Sequence, residues 1–193
     1  MQKRFKAMAL VAVALSLAAA AAIVPRLVAA PAVSVETALR KVTEDVAARW
    51  PTVAQVSPDA FAAMTASKDV VVFDVREEDE FSVSHIAGAK RVDADISADQ
   101  FARLFGAAVV GKPVVVYCSV GLRSTKLAHR LTTELASLNA ASVANLAGGI
   151  FGWHNEARPL VNQLGATDYV HPYDSTWGRL VKRQAMVRSE PAQ

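Results

Sequence analysis

Two runs of apolar, mostly β-branched residues constrain this chain more than any other feature: Val70-Val71-Val72-Phe73 and Pro113-Val114-Val115-Val116-Tyr117. A strand with one face in water alternates apolar and polar residues, whereas a strand buried on both faces reads as a continuous apolar run. Val53-Ala54-Gln55-Val56 and Ser142-Val143-Ala144-Asn145-Leu146 read as further, weaker strands. The stretches between them are helical in pattern. Residues 34–50 place Val35, Leu39, Val42, Val46 and Trp50 at helical spacing behind the capping residue Ser34, and Pro51 ends the helix. Ser57-Pro58-Asp59 is a second start signal, with proline at the first helical position. Residues 97–106 and 124–138 follow, the latter with Leu127, Leu131, Leu135 and Leu138 on one stripe. Strands alternating with helices of this length require crossover connections, and therefore a parallel sheet.

The first 30 residues follow a different rule. Lys3, Arg4 and Lys6 precede an uncharged run from Ala7 to Val24, and Val28-Ala29-Ala30 supplies small residues suited to cleavage. This is the pattern of a bacterial-type secretory signal. An uncleaved membrane anchor is the rival, because 18 residues sit at the lower limit for crossing a hydrocarbon core of ~30 Å. Half of that run is alanine, a weak driver of insertion. Either reading places the body in the periplasm or cell envelope and limits membrane contact to this segment. The expected organisation is therefore a signal or anchor over 1–30, a helical extension over 31–52, one domain over 53–160 and a tail over 161–193. Within the tail, the aromatic stretch from Tyr169 to Trp177 is expected to pack on the domain or on a partner, while Arg179, Lys182, Arg183 and Arg188 stay solvated.

The formal charge of +3 belongs to the N-terminus. Without residues 1–30 the chain has 17 basic and 18 acidic side chains, which gives no electrostatic case for a nucleic-acid partner. A single cysteine, Cys118, excludes an internal disulfide framework and a multi-cysteine metal site. His85, His129, His154 and His171 are too scattered to suggest a local metal pair. Neither metal nor cofactor is expected.

Cys118 lies where an apolar strand ends and a helix begins, in Cys118-Ser119-Val120-Gly121-Leu122-Arg123-Ser124. Ligand sites of open parallel sheets form at such strand ends. Loop N–H groups, the N-terminus of the following helix and Arg123 all favour a thiolate over a thiol. Gly121 allows a backbone turn that a Cβ would resist. Cys118 by itself also fits an inert small hydrophobe closing a strand, but the strand–Cys-x-x-Gly-x-Arg–helix context favours a nucleophile in an anion-binding cradle.

Four landmarks occur in a telling order: Phe73-Asp74-Val75-Arg76-Glu77 with Glu80 and Phe81, His85-Ile86-Ala87-Gly88-Ala89, the Cys118–Ser124 loop, and Leu146-Ala147-Gly148-Gly149-Ile150-Phe151-Gly152-Trp153. In these the chain resembles the rhodanese-like (sulfurtransferase) family over roughly residues 53–158. Two departures, Ala87 at the usual proline and Ser84 at a common glycine, fall in the His85 turn. The resemblance implies a five-stranded parallel sheet with helices on both faces. It also implies that Cys118 takes a sulfane sulfur from thiosulfate, a related small anion or a protein persulfide, and passes it to a thiophilic acceptor. Ser119, Val120, Gly121, Leu122, Arg123 and Ser124 would bind the donor, with Arg123 orienting it. Asp74, Arg76, Glu80 and His85 would form a structural network.

Four residues separate Cys118 from Arg123, one fewer than in the related phosphate-ester hydrolases, so the cradle is too small for a phosphoryl group. A sulfur carrier or interaction module of the cell envelope that does not turn over is the alternative function. A thiol-redox role is a third, weakened by the lack of a resolving cysteine.

Overall fold

A computed structural model describes residues 33–67 and 69–191, so the expected export segment lies outside the described residues. Seven helices and seven strands run in the order α1 (Val35–Arg49), β1 (Ala54–Val56), α2 (Pro58–Ala66), β2 (Val71–Asp74), α3 (Glu78–Val83), β3 (Lys90–Arg91), α4 (Ala98–Val109), β4 (Pro113–Tyr117), α5 (Leu122–Arg130), α6 (Thr132–Ser137), β5 (Ser142–Leu146), α7 (Gly149–Asn155), β6 (Leu160–Asn162) and β7 (Gly165–Thr167) among the described residues. Two short 3₁₀ turns, Trp177–Leu180 and Gln184–Met186, follow.

The sheet has five strands in the order β1-β5-β4-β2-β3, every pair parallel. Alternate residues of the apolar runs feed two separate cores, as the two-residue repeat of a strand requires. Val72, Val115 and Tyr117 join Leu39 of α1, Phe61 of α2 and Ile150, Phe151 and Trp153 of α7 on one face. Phe73, Val114, Val116 and Cys118 join Phe101 of α4, Leu127 of α5 and Leu135 of α6 on the other. Both faces are thus covered by helices. Phe73 meets Phe101 and Phe105 edge-on at 5.2 and 5.0 Å, and Phe61 meets Trp153 at 5.4 Å, distances typical of favourable aromatic pairs.

The start signals act as expected. Ser34 and Ser57 accept N–H bonds from Thr37 and Ala60 through their hydroxyls. The helix expected over 124–138 is instead two helices that meet at Leu131. There the Thr132 hydroxyl donates to the Ala128 carbonyl at 3.0 Å, a local bond that competes with regular helix geometry. The leucine stripe survives the break: Leu127, Leu131 and Leu135 are all buried.

Residues 160–191 do not trail away. Leu160, Val170 and Val181 belong to the first core. β6 and β7 form a hairpin, and His85 pairs with Val161 through both backbone groups. Asn155 of α7 donates to the Leu180 carbonyl and accepts from the Lys182 N–H. Arg179 and Lys182 are exposed as expected. Arg183 and Arg188 are instead half-buried, the former 3.2 Å from Asp168 and the latter 3.9 Å above the Tyr169 ring. No helix among the described residues is long and apolar enough to cross a membrane.

Candidate active site

Because β4 ends at Tyr117 and α5 begins at Leu122, Cys118 is delivered at the carboxyl edge of a central strand, below a helix N-terminus. Gly121 turns the chain with φ +99°, a left-handed conformation that glycine adopts without strain. The turn brings the Gly121 N–H to 3.2 Å from the Cys118 sulfur. A side chain at 121 would also meet Asn145 Nδ2 at 2.9 Å.

The loop is braced from beneath. The Cys118 and Ser119 carbonyls accept the N–H groups of Ile150 and Phe151 at 2.9 and 3.0 Å. Gly149, at φ +59°, lies so close that a Cβ there would come within 2.6 Å of the Ser119 carbonyl oxygen. Gly149 therefore lets α7 approach the cysteine loop, whereas Gly148, at φ +73°, packs against Leu39 and Gly152.

Cys118 is 1% exposed, at the floor of a cavity of about 90 Å³ lined also by Ser119, Val120, Leu122, Arg123, Tyr173 and Trp177. Four of the six expected donor-binding residues thus reach the cavity, and Gly121 reaches the sulfur by its N–H. Ser124 turns away: its buried hydroxyl donates to Asn145 Oδ1 at 2.6 Å. Asn145 in turn donates to Gln55 Oε1 and to the Leu146 carbonyl, tying the loop to β5 and β1.

Arg123 is already engaged within the protein. Its Nη2 donates to Glu80 Oε1 at 2.9 Å and to the Ser119 hydroxyl oxygen at 3.0 Å. Its Nη1 lies 2.8 Å from Glu80 Oε2, out of line for a hydrogen bond, so that contact is purely electrostatic. Burial disfavours the charged guanidinium, but the Glu80 hydrogen bond and the neighbouring Cys118 sulfur outweigh it and raise the Arg123 pKa. The partner shifts the other way. Burial would raise the Glu80 pKa, yet the hydrogen bonds from Arg123 and Ser119 and the Arg123 charge hold it below the usual carboxylate value.

Of the four expected network residues, Asp74, Arg76 and Glu80 are linked, Glu80 through its carbonyl, while His85 makes contacts of its own. Asp74 and Arg76 form a fully buried pair, Nε to Oδ1 at 2.9 Å and Nη2 to Oδ2 at 2.6 Å, and the same guanidinium donates to the carbonyls of Glu80 and Ser84. The Glu80 carboxylate belongs to the cysteine loop, where its Oε1 also accepts the Ser119 hydroxyl at 2.7 Å. His85 stacks on Phe81 at 3.9 Å with Nδ1 3.1 Å from the Phe81 carbonyl oxygen.

Three contributors lay beyond sequence reasoning. Tyr173 and Trp177 were legible as aromatics too apolar for a free end, but nothing in their spacing said where they dock. Asn145 had a fainter signal, an amide inside an otherwise apolar strand. Among the described residues no cluster of three or more His, Cys, Asp or Glu is placed to hold a metal.

A thiosulfate sulfurtransferase, GlpE, of Shewanella oneidensis is 29% identical over 99 residues, 51% of this chain and 90% of that protein. The tRNA uridine(34) hydroxylase of Bacillus pumilus is 33% identical over 97 residues, 49% of this chain but only 29% of the hydroxylase. A crystal structure of a thiosulfate sulfurtransferase from Pseudomonas aeruginosa superposes with a TM-score of 0.48 at 22% identity, covering 64% of this chain and 23% of that one. The description of the rhodanese-like domain matches residues 57–156, about half of the chain, and the protein belongs to that family.

Proposed function

We propose that this protein is a sulfurtransferase whose Cys118 carries sulfane sulfur from thiosulfate or a related persulfide donor to a thiophilic acceptor. One observation carries the reading: the Cys118 sulfur accepts a backbone N–H at the N-terminal end of α5, in a cavity with room for a small donor. A sulfur anion held there faces an amide dipole and the start of a helix, both of which stabilise negative charge.

The reaction is two displacements. The Cys118 thiolate attacks the outer sulfur of the donor, the donor's S–S bond breaks, and its electron pair leaves with sulfite when the donor is thiosulfate. The new S–S bond makes Cys118 a persulfide. An acceptor such as cyanide then attacks the outer sulfur, and the electron pair of the Cys118–sulfur bond returns to the thiolate. No external oxidant or reductant is consumed. Arg123 holds Ser119, a residue of the cavity wall, through its hydroxyl and is itself held by Glu80.

The longer hydroxylase relatives share only this domain with the chain, so their reaction has no support beyond it. A carrier that loads without turnover is the second reading, favoured by the depth at which Cys118 lies. Both predict loading, and only the first predicts release. The full-length protein exposed to thiosulfate, or to an organic thiosulfonate, should gain the mass of one sulfur atom, removable by a thiol reductant. Cys118→Ser should gain none, since a hydroxyl has no comparable anion at neutral pH. Thiocyanate formed over many turnovers with cyanide establishes transfer, and loading without release establishes the carrier. A Cys118→Ser variant that loads as well as the parent removes the mechanism.

A further inference from the structure

Two aromatic side chains of the C-terminal segment, Tyr173 and Trp177, complete the wall around Cys118, and both lie outside the matched residues 57–156. Building on the sulfur-transfer reading, we propose that Tyr173 and Trp177 are specificity-determining residues that select sulfane-sulfur donors carried on a small organic body over the thiosulfate dianion.

Charge supplies the first reason. Among the described residues, Arg123 is the only cation lining the cavity. Its Nη2 is hydrogen-bonded to Glu80 and Ser119, its Nη1 lies 2.8 Å from the second Glu80 oxygen, and its guanidinium carbon lies 4.6 Å from the centroid of the Tyr173 ring. A dianion entering here finds little uncompensated positive charge to replace its hydration. The walls supply the second. Val120, Leu122, Tyr173 and Trp177 offer apolar and aromatic surface, which attracts an aryl or alkyl group and gives a sulfonate nothing.

These aromatics are built into the fold. Tyr173 has φ +66°, and the Asp174 N–H reaches back to the Pro172 carbonyl at 2.9 Å, a tight γ-turn in a strained left-handed conformation. The Tyr173 N–H is held by His171 Nδ1 at 3.0 Å. One carboxylate oxygen of Asp174 accepts the N–H groups of Thr176 and Trp177 at 2.7 and 2.9 Å. Gly178 packs so closely that a Cβ would meet the Pro172 side chain at 2.8 Å. Buried Val170 and Val181 anchor the segment on either side. Strain of this kind persists only where its surroundings impose it, and here it sets a ring over the Cys118 cavity.

Donor chemistry is unchanged in kind. With a thiosulfonate, Cys118 attacks the terminal sulfur, the sulfur–sulfur bond breaks, and the organic sulfinate leaves with the electron pair. Benzenethiosulfonate and thiosulfate make a matched pair, because a phenyl ring replaces one anionic oxygen while the transferred sulfur stays the same. The test is the ratio of kcat/KM for benzenethiosulfonate to that for thiosulfate, with cyanide as acceptor and the full-length protein throughout. Tyr173→Gly removes the ring while relaxing the left-handed backbone, and Trp177→Leu keeps an apolar side chain on the 3₁₀ turn, so neither forces unfolding. Each should lower the ratio roughly three-fold and the pair roughly ten-fold, mainly through KM for the aryl donor, and Tyr173→Phe should restore it. A ratio unmoved in the double variant overturns the proposal, whether both rates fall together or neither changes. Absence of sulfur on Cys118 from either donor in the parent protein overturns the sulfur-transfer reading itself.

Discussion

Glu80 has 1% of its side chain exposed and is matched against Arg123, which is 21% exposed. Removing one partner of so buried a pair leaves a charge without compensation, which is more costly than the pair is worth. Arg123→Ala should therefore destabilise the protein by about 2–4 kcal/mol, allowing for the partial exposure of the arginine. Adding Glu80→Gln to that variant should recover much of the loss, because a neutral amide tolerates burial. Urea denaturation of the two single variants and the double variant reads this directly, and additive losses would show that the pair is not coupled. The same group predicts an acid limb. The folded Glu80 carboxyl titrates below its usual value, so the unfolded chain takes up the proton first as pH falls. Its contribution is complete above the unfolded pKa of ~4.3 and is lost as pH drops through the folded value. Glu80→Gln should flatten the fall of the urea midpoint between about pH 5 and pH 3; an unchanged limb would assign the acid sensitivity elsewhere.

Elements were legible where one physical rule dominated. β2 and β4 announced themselves as continuous apolar runs, and the caps of α1 and α2 as serine followed by a helical stripe. β3, only Lys90–Arg91, carries no apolar signal because an edge strand this short is held by β2 alone. The break between α5 and α6 was hidden because the leucine stripe continues through it. Gly149 at the start of α7 was visible as part of a motif, but its purpose was not, since it depends on a carbonyl thirty residues earlier. That purpose can be tested. Gly149→Ala adds a Cβ against the Ser119 carbonyl at φ +59°, so it should lower Tm and slow sulfur loading at Cys118 at least ten-fold. Gly165→Ala at the start of β7 shares a positive φ, +116°, but meets no atom within 4 Å. It should cost about 1–2 kcal/mol in strain and leave the loading rate alone. Equal loading by both variants would deny the brace.

At the scale of the whole molecule, the cysteine loop and its motifs were readable from sequence, and so was the packing tendency of Tyr169–Trp177, whereas the place where that segment docks was not. Local patterns report local structure, and the docking of 168–188 depends on surfaces made by α1, α7 and the first core. Val181, with no exposed surface, measures that docking. Val181→Ala removes two buried methyl groups and should cost about 2 kcal/mol, a Tm fall of roughly 4–8 °C for a domain of this size, detectable by calorimetry. A change below 1 °C would mean that the C-terminal segment contributes little to the fold. The internal pairing of Arg123 with Glu80 reaches further than the cavity. Beyond residue 30 the chain is nearly balanced, with 17 basic and 18 acidic side chains, and Arg123, which lines the cavity with Cys118, is paired with Glu80 at 2.8–2.9 Å. Encounter with an anionic donor therefore gains little from long-range attraction, and dissolved salt has little attraction to screen. Such a site should work at much the same pace in dilute and in saline surroundings.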